Sequence, residues 1–145
     1  MPSTLKLHII VAIYSFAHLL HHGQAYITSG LPAHTHRAFL RKLTDDICNT
    51  NPGSLDVNSA TKVMSALASA PEKIVRESGK DRAIRVERLL KRMIDERHAG
   101  NVEAIARTED YNAVMKAWNL SGERSAAALR CEEVSINCYS VYLRG

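Results

Sequence analysis

Two parts of this chain repeat each other, and that repetition limits its fold more than any other feature. Val63-Met-Ser-Ala-Leu67 matches Val114-Met-Lys-Ala-Trp118. Ala83-Ile-Arg-Val-Glu-Arg-Leu89 matches Ala128-Leu-Arg-Cys-Glu-Glu-Val134 in the same order. The spacing between the matched pairs differs by an extra loop around Pro71–Ser78. A recurring pair of helices cannot bury its apolar faces alone, so copies stack side by side. The expected fold is therefore all-α, with helix–turn–helix units forming a short α-solenoid over residues 54–134.

The periodicity supports this reading. Ala60, Val63, Met64 and Leu67 follow the i, i+3, i+4, i+7 pattern and predict a helix over Asn58–Ala70, capped by Asp56 or Asn58. Pro71 interrupts that helix or starts a short turn through Val75. Ala83, Val86, Leu90 and Met93, widened by Leu89 and Ile94, predict a second helix over Asp81–His98, with Gly100 as its C′ residue. Thr108 caps a third, Glu109–Leu120, whose Tyr111, Val114, Met115 and Trp118 repeat the phase of the first. Trp118 is expected to be buried. Ser121-Gly122 stops this helix, and a fourth begins near Arg124. Beyond Val134 the repeat pattern lapses, and 135–145 reads as a divergent C-terminal tail.

The N-terminal part has a different character. The chain has 145 residues, which is room for one ordinary domain. Its net charge is +4, yet residues 1–44 contain no acid, and Asp45 is the first. Lys6, Arg37, Arg41 and Lys42 carry the excess; in the remainder, bases and acids are equal in number. Ile9–Leu20 is apolar except for Ser15 and His18, shorter than the roughly 20 residues of a membrane-spanning helix. It fits a secretory h-region of about 7–15 residues. Gly23 and Ala25 are the small residues a signal peptidase accepts, which places cleavage before Tyr26. Residues 1–25 read as a signal-like segment, with a buried first helix as the alternative.

Residues 26–53 hold hydroxyls, bases and few acids, a transit-like composition that ends in the turn formers Asn49–Gly53. Signal segment, aromatic Tyr26 and basic stretch together resemble the bipartite presequence of plastids acquired by secondary endosymbiosis. The expected location is a plastid or other organelle, with secretion or a mitochondrion as alternatives and no stable membrane span after processing. Arg37–Cys48 can equally form an amphipathic helix with Phe39, Leu40, Leu43 and Ile47 on one face.

Catalytic signatures are absent: there is no P-loop, GxSxG, HExxH or Gly-rich fingerprint. An enzyme is not expected, and neither is a cofactor. His21-His22 and His34/His36 lack Cys or acidic partners, so no metal site is expected. Cys131 and Cys138 lie two helical turns apart, about 10.5 Å, too far for a disulfide. Arg82, Arg85, Arg88, Lys91 and Arg92 form a basic run that can follow phosphates, although Asp81–Arg85 and Glu87–Lys91 also stand as i,i+4 pairs.

Asp110-Tyr-Asn-Ala-Val-Met-Lys-Ala-Trp-Asn-Leu-Ser-Gly122, followed by Ala126-Ala-Ala-Leu-Arg-Cys-Glu-Glu133, resembles a pentatricopeptide repeat (PPR). Arg85–Met93 resembles the end of the second helix in the preceding repeat. Tetratricopeptide repeats share the architecture, but the Tyr-Asn opening favours the RNA-binding family. The resemblance covers about residues 57–134. It implies an organellar protein that binds single-stranded RNA, reads about one base per repeat and acts in transcript processing, stability or translation. It further implies base contacts from Asn112, Thr61 and Arg107, and phosphate contacts from Arg85, Arg88 and Arg92. The chain departs from the family where an apolar residue normally packs on the base, offering Asn58 and Glu109 instead. A protein-binding helical-repeat module, and a truncated repeat fragment without independent function, are the other readings.

Overall fold

The computed structural model describes residues 33–70 and 77–143. The signal-like segment 1–25, its cleavage point and the Pro71–Val75 turn lie outside the described residues, as do the side chains of Phe39, Leu40 and Cys138. The described chain is all-helical. It comprises α1 (Ala33–Cys48), α2 (Val57–Ser69), α3 (Gly79–His98), α4 (Thr108–Asn119) and α5 (Arg124–Leu143), with no strand among the described residues. No helix of the described residues is long and apolar enough to cross a membrane.

Local signals account for the helix ends. Asp56 is the N-cap of α2 and accepts from the Ser59 N–H at 3.2 Å and its hydroxyl at 2.7 Å. Ser78 caps α3 through the Asp81 N–H at 3.0 Å, and the helix starts at Gly79, two residues before the predicted start. Asp81 in the first turn and Arg97 and His98 in the last suit the helix dipole. Gly100, at φ +99°, ends this helix as expected. Arg107, not Thr108, is the N-cap of α4. α5 runs on to Leu143 without a break at Val134, so the tail does not open a new unit there.

α4 is the central helix. It packs against α2, α3 and α5, while α2 packs on α3, and α1 lies against α3. Two cross-links show that α2 and α4 run parallel. Thr61 near the start of α2 bonds Asp110 near the start of α4, and Ser69 at the end of α2 bonds Lys116 toward the end of α4. α4 and α5 form an antiparallel hairpin, with Met115 facing Cys131 and Ser135.

The predicted apolar stripes form the core. Ala60, Val63, Met64 and Leu67 of α2 are buried, as are Ala83, Val86, Leu89, Leu90 and Met93 of α3 and Tyr111, Val114 and Trp118 of α4. Each such large side chain contributes about 1.5–3 kcal/mol on burial. Leu43 and Ile47 of α1 join the same cluster, so this helix belongs to the packed body. Gly79 sets the approach of α3 to the α4–α5 turn. A Cβ at that position would lie 2.7 Å from the Ser121 Cα, so any larger residue pushes backbone against backbone.

Candidate nucleic-acid interface

Parallel alignment of α2 and α4 leaves a shallow open groove of about 230 Å³ between them. α2 contributes Ser65, Ala68 and Ser69; α4 contributes Glu109, Asn112, Ala113 and Lys116. Helical spacing puts each set on one face. Ala68 and Ala113 supply the apolar part, and the exposed polar side chains surround it. The volume is below the about 300–1,000 Å³ of ordinary small-molecule sites, and it suits a single ring or side chain laid against two alanine methyls.

The groove is pinned at both ends. Asp110, 1% exposed, accepts the Thr61 hydroxyl at 2.7 Å on one carboxylate oxygen. Its other oxygen accepts the Arg107 N–H at 2.8 Å. At the far end the Lys116 ammonium donates to the Ser69 hydroxyl at 3.0 Å. Between these links, the Asn112 amide is exposed and has no hydrogen-bond partner among the described residues. Glu109 meets Arg107 through Oε1 at 3.4 Å, both side chains being more than half exposed. Such a pair is worth about 0–1 kcal/mol and leaves Glu109 able to accept from a ligand.

The expected base contacts therefore separate. Asn112 lies in the groove. The Thr61 hydroxyl proton is committed to Asp110, and Arg107 sits at the α4 N-cap beside Glu109. Ser65, Ser69 and Lys116 escaped the sequence reading. Their signal was the polar edge of each helical stripe, visible only when the two helices are laid parallel.

The expected phosphate contacts are elsewhere, on the side of α3 that faces α1. Arg85 Nε pairs at 2.8 Å with Glu77, whose side chain is 1% exposed, rather than with Asp81. Arg88 pairs with Asp45 of α1 at 2.8 Å. Arg92 contacts Glu96 at 2.5 Å and the Thr50 carbonyl at 2.7 Å. Glu96 in turn accepts the Gly53 N–H at 2.8 Å and the Asn101 amide at 3.2 Å. Turn 49–53 is thus docked on the end of α3. Glu87 accepts the Trp118 indole N–H at 2.8 Å and lies 3.6 Å from Arg130, joining α3 to α4 and α5; Lys91 is not its partner in either contact. Arg82 is buried and donates to the Ala70 carbonyl.

No group of three or more His, Cys, Asp or Glu among the described residues can hold a metal ion. Cys48 and Cys131 are free thiols. Burial pushes both pKa values up, with Arg88 pulling Cys48 partly back. Both therefore stay protonated at neutral pH and lack the thiolate a nucleophile needs. Comparison of the chain with protein-family models, curated proteins and solved structures finds no match.

Proposed function

We propose that this protein binds single-stranded RNA along the face made by α2 and α4. In this reading α2–α3 and α4–α5 are two stacked PPR-type units. The parallel packing of the two first helices, with each second helix behind its own first helix, is what such stacking requires. One observation carries the proposal: the Asn112 amide, without a hydrogen-bond partner among the described residues, lines a one-ring groove between those helices. An amide both donates and accepts, which suits a base edge.

Cations at the two ends of this groove supply the phosphate contacts. Arg107 stands before it and Lys116 closes it, whereas Arg85 and Arg92 are held in internal pairs. The expected role is in organellar transcript processing, stability or translation. Few bases are read and two cations meet phosphate, so affinity is modest and its salt dependence shallow, with a slope of about −1.4 in log K against log salt. Titration of the full chain with short single-stranded and double-stranded RNA at low salt tests the reading. Tighter single-strand binding, weakened by Lys116→Ala, is expected. A helical sample that binds neither form ends it.

A second reading, a protein-binding repeat module, is favoured by the charge of the groove. Glu109 and Lys116 cancel there, and no aromatic side chain among the described residues lines it to stack a base. The same titration decides, because a protein-binding module gives no RNA signal.

A further inference from the structure

We propose that α1 is the second helix of a third repeat unit, and that residues 9–16 of the same chain take the place of that unit's first helix, beside α2 on the flank opposite α4. The inference rests on the repeat and is independent of RNA binding. Residues 49–56 join α1 to α2 and residues 99–107 join α3 to α4, connections of nearly equal length. The buried residues Leu43, Thr44 and Ile47 of α1 repeat the spacing of Leu89, Leu90 and Met93 in α3. That register sets Arg41 where Glu87 stands, and the match of α3 to α5 sets Arg85 where Arg130 stands. Between α3 and α5 these two positions meet directly, with Glu87 lying 3.6 Å from Arg130. Between α1 and α3 both positions hold arginine, and Glu77 Oε1 bridges them, 3.8 Å from Arg41 and 2.8 Å from Arg85. α1 is therefore stacked on α3 as α3 is on α5.

A second helix in such a stack buries part of its apolar side against a first helix of its own unit. α2 serves α3 and α4 serves α5, whereas no helix of the described residues precedes α1. The place for one is the flank of α2 opposite α4. Glu109 and Ala113 line the groove toward α2, and their counterparts on α2, Asn58 and Lys62, are exposed. The sequence carries the occupant. Tyr111, Val114, Met115 and Trp118 stand 51 residues after Ala60, Val63, Met64 and Leu67. The same interval of 51 before that stripe falls on Ile9, Ala12, Ile13 and Phe16, all apolar and in the same i, i+3, i+4, i+7 phase. A removable segment has no need of this phase, whereas a first helix does. Residues 1–32 precede α1, a longer stretch than 57–78, which carries α2 and its connection to α3, so the chain reaches. Three units also meet the minimum of about three at which stacked repeats become stable.

Hydrogen exchange and urea unfolding of the full chain test the proposal. Amides of residues 9–16 should be protected together with those of α1, at every protein concentration. Ile13→Asp should abolish that protection and lower the urea midpoint. Ser15→Asp adds the same charge off the stripe and should leave both unchanged. Exchange of residues 9–16 at the rate of an unfolded peptide overturns the proposal, whether or not the Ile13→Asp variant folds. So does a urea midpoint that Ile13→Asp leaves unmoved. Protection lost on dilution, with a dimer in analytical ultracentrifugation, seats the segment on a second copy and overturns docking within the chain. An N-terminus at Tyr26 in protein isolated from its source shows that the segment is discarded, and overturns it as well.

Discussion

The α1–α3 junction and the α2–α4 groove use the same kinds of residue in opposite ways. At the junction Glu77 and Glu96 are sealed, with side chains 1% and 0% exposed, and each is matched to an arginine. At the groove Glu109 is 58% exposed, and Asn112 has no partner among the described residues. The reason is access to water. Docking α1 and turn 49–53 on α3 removes solvent from Glu77 and Glu96, and a buried charge must be paired. The groove stays open, so water satisfies its polar groups until a ligand replaces it. Arg85, Arg88 and Arg92 of α3 each meet a carboxylate, whereas the Asn112 amide meets no hydrogen-bond partner among the described residues.

The largest expected effect falls on what both regions share. Trp118 is 4% exposed and its indole N–H reaches Glu87. Trp118→Ala should cost roughly 3–5 kcal/mol in urea unfolding. Unchanged stability would mean that α4 is not the centre of the core, and both regions would lose their common frame. Glu96→Ala should cost about 3 kcal/mol, since it leaves Arg92 half-buried beside no carboxylate and removes the acceptor of the Gly53 N–H. Hydrogen exchange at Gly53 should accelerate while Asn112 stays as protected as before. Equal acceleration at both would show that junction and groove open together.

How legible these regions were in the sequence follows from the range of the interactions. The stripes through Val63, Val86 and Val114 are local patterns, and they placed the helices and the core. Arg85 shows where locality ends: its own helix offers Asp81 at i−4, yet the structure pairs it with Glu77 outside the helix, and Arg88 bonds Asp45, forty-three residues away. Glu96, read only as part of a helix, anchors the turn 49–53 that closes the basic segment. Asn112 stood out in the sequence only because it follows the aromatic opener of a segment that resembles a known repeat. Ser65 and Ser69 were missed because nothing in either helix alone announces a parallel neighbour.

Asp110 bounds the groove, and its loss should be intermediate. Asp110→Ala removes the acceptor for both the Thr61 hydroxyl and the Arg107 N–H, costing about 1–3 kcal/mol. Thr61→Val alone should cost less, and the double variant should fall short of the sum, as a shared bond requires. Strict additivity would mean that the two side chains do not bond. Arg88→Ala should have a smaller effect. Arg88 and Asp45 are each about half exposed, so about 0–1 kcal/mol is expected, shrinking further in salt. RNA affinity should be unchanged, and a clear drop would place the nucleic acid across α3 and erase the contrast between the two regions.

Asn112→Ala should produce the smallest change in stability and the sharpest separation of fold from function. The side chain is exposed on a helix and bonds nothing among the described residues, so its removal leaves no buried group unsatisfied. Alanine is also the better helix former, by up to about 0.7 kcal/mol. The variant should therefore unfold at the same urea concentration as wild type, or slightly higher. Its affinity for single-stranded RNA should nevertheless fall if, as proposed, the amide meets a base edge. This combination distinguishes a binding residue from a structural one, since a structural residue loses stability and affinity together. Falling stability would show that Asn112 supports the α2–α4 contact. Unchanged stability with unchanged affinity would leave the groove as a gap between two helices, and would make the α1–α3 junction the more informative of the two surfaces.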